Sequence, residues 1–222
     1  VTIGYTVAGT LLNLGITLPA AYALSRKQLA GRKLFIMLIL FTMFFSGGMI
    51  PTYILVKGLH LTDTLWALIL PCAASAYNIV VARTYFENSI PKELEEAATI
   101  DGCSNFKVFF RIVLPLSAPI VAVMTLFYGI SHWNSYFDGM IYLSDRKLFP
   151  LQVILREILS VAQTASSQTM SAEDAVTMAE QARIADLVKY VIMIVATAPV
   201  MLIYPFVQKY FVKGVMIGSV KG

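Results

Sequence analysis

Five long apolar runs dominate this chain, at roughly residues 3–24, 34–56, 65–86, 116–137 and 187–206. Each is long enough to cross a bilayer as a helix, which takes about 20 residues. The short alternating segments of a membrane β-barrel are a different pattern. With 58% hydrophobic and 14% charged residues, the chain cannot coat itself with polar groups in water, where about 25% charged is usual. The reading is an all-α, polytopic membrane protein, with residues 1–222 forming a single transmembrane domain. Pro19, Gly47, Gly48, Pro51, Pro199 and Pro205 fall inside the runs. Membrane helices tolerate such residues when neighbours satisfy the freed backbone groups. The first residue, Val1, already lies in an apolar run, which reads as the loss of an N-terminal segment.

Loop charge sets the orientation. The short segment Ser25-Arg26-Lys27-Gln28-Leu29-Ala30-Gly31-Arg32-Lys33 is basic and so is expected on the cytoplasmic side. Alternation then puts residues 57–64 outside, 87–115 inside, 138–186 outside, and the tail from Gln208 inside with Lys209, Lys213 and Lys221. This distribution accounts for the net charge of +4 without a nucleic-acid partner. In the long outer loop, Leu151, Leu155 and Ile158 have helical spacing. Further on, Ser171-Ala172-Glu173-Asp174 reads as a capping box opening a helix to about Ile184. Cys72 and Cys103 suggest neither a disulfide nor a metal site, and His60 and His132 form no ligand cluster.

The inner loop 87–115 is a polar island between apolar runs. Pro91 suits a first helical turn. Glu93, Glu95 and Glu96 follow where negative charge complements the helix dipole. Leu94, Ala97 and Ala98 fall on one face, kept low by the alanines so that another protein can approach closely. Gly102 permits a turn that a larger residue would strain. A second short helix is expected from about Phe106 to Val113, ending before Pro115.

Glu96-Ala97-Ala98, then three residues ending in Asp101, then Gly102, then nine residues to Ile112-Val113-Leu114-Pro115, resembles the coupling loop of permease subunits of binding-protein-dependent ABC importers. Ala20-Ala21-Tyr22-Ala23-Leu24-Ser25-Arg26 and His132-Trp133-Asn134 resemble sugar-importer permeases. Lys213-Gly214 and the closing Val220-Lys221-Gly222 resemble the tail of the maltose-permease inner-subunit type, and the long outer loop resembles an oligosaccharide or polysaccharide subgroup. The resemblance implies a type I, MetI-like bundle of six membrane helices, five of them in this chain, in a bacterial plasma membrane. It implies that Glu96, Ala97, Ala98, Asp101, Gly102, Ile112, Leu114 and Pro115 form the loop that couples to the ATPase, and that Lys221 and Gly222 touch the ATPase dimer. The partners implied are ABC ATPase subunits that bind ATP and Mg²⁺, a second and different permease subunit, an extracellular sugar-binding lipoprotein, and the lipid bilayer. This chain itself has no G-x-x-x-x-G-K-[ST] loop to cradle a phosphate.

Trp133, Asn134 and Tyr136, near the outer end of the fourth run, are candidates for the substrate pathway: aromatic rings stack on sugars and Asn134 can bond hydroxyls. The alternative is an interfacial aromatic belt. Asn78 and Tyr77 read as polar contacts between helices. Two competing functions are a permease of this type for another solute and an ion-gradient-driven transporter. The latter usually places ionisable residues within its spans, and these run interiors are nearly free of charge.

Overall fold

The computed structural model describes residues 1–167 and 175–218, and its regular elements there are all helical. The centre is α1 (Thr2–Ser25), packed against α9 (Ala118–Trp133) and α5 (Ala76–Ser89). Along α1, Tyr5, Gly9, Asn13, Thr17 and Ala21 recur every fourth residue and all are buried. Small and polar residues on one stripe let membrane helices approach closely and bond across the contact. Thr17 Oγ1 and Tyr128 Oη share a 2.6 Å hydrogen bond. The Tyr5 hydroxyl donates to the His132 carbonyl at 2.8 Å and lies 2.9 Å from Ser135 Oγ.

Two apolar runs are not straight spans. The second divides into α2 (Arg32–Phe44) and α3 (Met49–Gly58), bent by 110°. Pro51 in a continuous helix would clash with the carbonyl of Gly47. The chain instead breaks just upstream, with Gly48 at φ +84°. The third run yields only the short α4 (Trp66–Ile69), an irregular stretch around Pro71, and then α5, where Ser75 Oγ accepts the backbone N–H of Asn78. An irregular backbone within an apolar bundle leaves polar groups that must be satisfied. Buried Asn13 supplies one partner: its Nδ2 donates to the Cys72 carbonyl at 2.5 Å, while its Oδ1 lies 2.7 Å from His132 Nε2. The polar residue that ties the break to α1 is therefore Asn13. Asn78 is buried at the cap of α5, and Tyr77 is exposed.

The described helices long and apolar enough to cross a membrane are Thr2–Ser25 and Asp186–Pro205, or up to four spans if each of two bent pairs counts as one. Five were expected from the runs. The shortfall follows from the breaks at 45–48 and 70–75 and from the end of α9 at Trp133. No residue of α2 is buried, and none in the Asp186–Pro205 window is fully buried.

After α9 come α10 (Tyr136–Tyr142), α11 (Leu151–Ser167) and α12 (Ala175–Gly218). The amphipathic α11 buries Leu155. A separate outer helix ending near Ile184 is not what forms. One 44-residue helix, Ala175–Gly218, runs on through the last apolar run, because Ile184-Ala185-Asp186-Leu187 contains no glycine or proline to stop it. Ser171-Ala172-Glu173-Asp174, Lys221 and Gly222 lie outside the described residues.

Candidate functional site

The polar segment 87–115 folds as two short helices joined through a glycine turn. The first, α6 (Lys92–Ile100), follows Pro91 at its N-cap and carries Glu93 and Glu95 in its first turn. At its end the Gly102 N–H donates to the Thr99 carbonyl at 3.0 Å and the Cys103 N–H to the Ala98 carbonyl at 2.9 Å. This pair of bonds requires a left-handed residue at Gly102, whose φ is +74°. Ser104 then caps α7 (Asn105–Val108), with its Oγ accepting from the Lys107 N–H at 3.4 Å.

The second helix does not stop before Pro115. It passes through a π-helical turn, Phe109–Val113, into α8 (Leu114–Leu116), and only then bends by 83° into α9. A regular turn would drive the Pro115 ring into the Arg111 carbonyl. In the widened turn the Leu114 N–H reaches back to the Phe109 carbonyl and the chain accommodates the ring.

The signature residues divide by direction. Glu96, Ala97, Asp101 and Pro115 are exposed, whereas Ala98 is only 6% exposed and sits in the bundle core. Ile112 and Leu114 are half-buried against that core. Ala97 and Ala98, expected to share one low face, therefore point different ways. The outward face of α6 is Glu93, Glu96, Ala97 and Ile100, and Ile100 is 86% exposed. Phe106, on the second limb, is 79% exposed. Large apolar side chains left open beside carboxylates suit a protein partner.

Residues outside the loop hold it in place, among them Arg26 and Arg32, whose charge is already explained by topology alone. Arg26, at the end of α1, pairs with Glu95, and its guanidinium lies 5.2 Å from the centre of the Tyr22 ring. Arg32 and Arg83 donate from Nε to the Leu24 carbonyl at 2.7 and 3.3 Å, placing two cations at the negative end of α1. Both also engage Glu87, Arg83 at 2.8 and 2.9 Å. The four-residue spacing of Arg83 and Glu87 was the one visible signal. Between this cluster and α6 lies a groove of about 1040 Å³.

At the other end of the bundle, Trp133 is buried and its indole N–H donates to the Ala196 carbonyl at 2.9 Å, tying α9 to α12. Asn134 is exposed. Tyr136 is half-buried, with the Arg156 guanidinium 5.2 Å from its ring centre. Burial raises the pKa of the neighbouring Asp138 carboxyl. Among the described residues no group of His, Cys, Asp and Glu could hold a metal.

The family described as "binding-protein-dependent transport system inner membrane component" matches residues 3–217. The chain is 45% identical over its whole length to the polygalacturonan/rhamnogalacturonan transport system permease protein YtcP of Bacillus subtilis (strain 168), covering 76% of that protein. It is 44% identical over its whole length to protein LplC of the same organism, covering 73% of it. A crystal structure of a bacterial ABC transporter involved in the import of the acidic polysaccharide alginate contains a chain with a similar fold. The TM-score is 0.80 at 36% identity, over 95% of this chain and 72% of that one.

Proposed function

The chain belongs to the family of binding-protein-dependent transport system inner membrane components, as a permease subunit for oligosaccharide import, and we propose that the loop 87–115 is where it receives ATP-driven motion. It is a membrane component of transport rather than an enzyme. In this reading an ATPase subunit binds the outward face of α6, with Glu96, Ala97 and Asp101 at the contact. ATP and Mg²⁺ are held by that partner. A different second permease completes the pathway, and an extracellular sugar-binding lipoprotein delivers the cargo at the other end, across a bacterial plasma membrane spanned several times. Lys221 and Gly222 add a contact to the ATPase.

The observation that carries the proposal is the division of α6 into two faces. Ala98 and Glu95 are engaged with the chain's own bundle, while Glu93, Glu96, Ala97 and Ile100 are exposed. Ala97→Arg should therefore leave the melting temperature of the purified protein unchanged yet release the ATPase during purification from native membranes. Ala98→Arg should lower the melting temperature itself, since it forces a charge into the core. Retention of the ATPase by the Ala97→Arg variant would remove this face from the contact.

For the cargo, we take oligosaccharides of acidic polysaccharides as the substrate class. The support is that relatives at 45% and 36% identity are named for polygalacturonan/rhamnogalacturonan and alginate. Trp133, Asn134 and Tyr136 line the proposed pathway at the outer end, with Asn134 the most accessible of the three. Cells carrying the transporter should accumulate labelled oligogalacturonides, and unlabelled neutral oligosaccharides should compete poorly. Equal competition by neutral sugars would return the substrate to the wider class.

A further inference from the structure

We infer that the ion pair Arg26–Glu95 latches the loop helix α6 to α1, so that α1 carries the movement of the loop toward the outer half of the bundle. This rests on the reading of α6 as the ATPase-receiving helix and adds the route by which the motion leaves it.

The pair is sheltered: the Arg26 and Glu95 side chains are 20% and 15% exposed. Exposed ion pairs contribute little, because solvent screens them and two long side chains must be ordered. Here the Arg26 guanidinium is also held over the Tyr22 ring, which limits its alternatives. Tyr22 in turn lies against Phe109 of the π-turn, 5.1 Å between ring centres, and against Phe86 of α5 at 6.0 Å. The last turn of α1 therefore grips both limbs of the loop, α6 through charge and the π-turn through ring contact.

The rest of α1 can carry what this end receives. From Tyr5 to Arg26 a helix spans about 30 Å at 1.5 Å per residue. Near its other end, Tyr5 bonds the His132 carbonyl, and Asn13 joins His132 to the broken segment at Cys72. A shift of α6 relative to the membrane must either part Arg26 from Glu95 or displace α1, and with it the ends of α9 and α4. Glu96, one residue from Glu95, is exposed and makes no such tie to the bundle.

The test uses the assembled transporter, with its ATPase and partner permease, in proteoliposomes. Uptake and ATP hydrolysis are measured together for Arg26→Glu, Glu95→Arg and the exchanged pair. Each single variant should keep its ATPase through purification and hydrolyse ATP, while uptake per ATP falls about tenfold, within the usual range of coupling between sites. The exchanged pair should recover most of that ratio. Single variants with an unchanged ratio, or an exchanged pair no better than either single, would overturn the latch. Should a charge reversal prevent folding, Glu95→Gln provides the milder break, and an unchanged ratio there counts the same way. Loss of the ATPase in Ala97→Arg tests the docking face separately, so failure of the latch and failure of the docking reading give different results.

Discussion

Gly9→Ala should destabilise the bundle by about 1–3 kcal/mol, the usual cost of overpacking a well-filled core. A Cβ at this position would lie 2.5 Å from His132 Nε2, 2.7 Å from Cε1 and 2.9 Å from Cδ2. The ring cannot retreat freely, because His132 is 3% exposed and its Nε2 is bonded to Asn13. Either that bond breaks or α1 and α9 separate. Thermal unfolding of the detergent-purified complex would show a lowered midpoint. His132→Ala in the same chain should make the cost of Gly9→Ala much smaller, a non-additivity expected only of residues in contact. An unshifted midpoint for Gly9→Ala would mean that the helices are not so closely set.

The second large effect is expected at Gly102, for a different physical reason. Nothing lies within 4 Å of where its Cβ would be, so space is not the constraint. The constraint is φ at +74°. A left-handed conformation costs an ordinary L-residue roughly 1–2 kcal/mol, less for Asn and more for a β-branched side chain. Uptake should therefore fall in the order Asn, Ala, Val, with Gly102→Val close to inactive although it inserts into the membrane normally. The bonds at stake are those from Gly102 and Cys103 back to Thr99 and Ala98, which end α6 and aim the second limb. Strong uptake by the Val variant would show that the turn does not set the position of α6.

The sequence makes the class of this protein legible because lipid imposes a composition that water does not. The apolar runs and the spacing from Glu96 to Pro115 lead directly to helices and to the loop. It is less informative about continuity. Proline and glycine inside an apolar run fit either a tolerated kink or a break. Pro51 and Pro71 accompany breaks, whereas Pro199 and Pro205 lie within an unbroken helix. Hydropathy cannot separate these cases, since the deciding factor is which neighbour satisfies the freed backbone. At Cys72 that neighbour is Asn13, 59 residues away in the chain. Of the candidate site, the exposure of Glu96, Ala97 and Asp101 and the turn at Gly102 were legible. Its inward anchorage was not, because Arg26 and Arg32 already had a sufficient explanation as markers of the cytoplasmic side.

The two-faced α6 also constrains how such transporters diversify. Within nine residues, one set is engaged with the chain's own bundle and the other is turned outward, where the proposed partner would dock. Under the proposed docking, a change of ATPase partner would fall on the outward residues Glu93, Glu96, Ala97, Ile100 and Asp101. Glu95 and Ala98, held by Arg26 and the core, would stay out of that exchange.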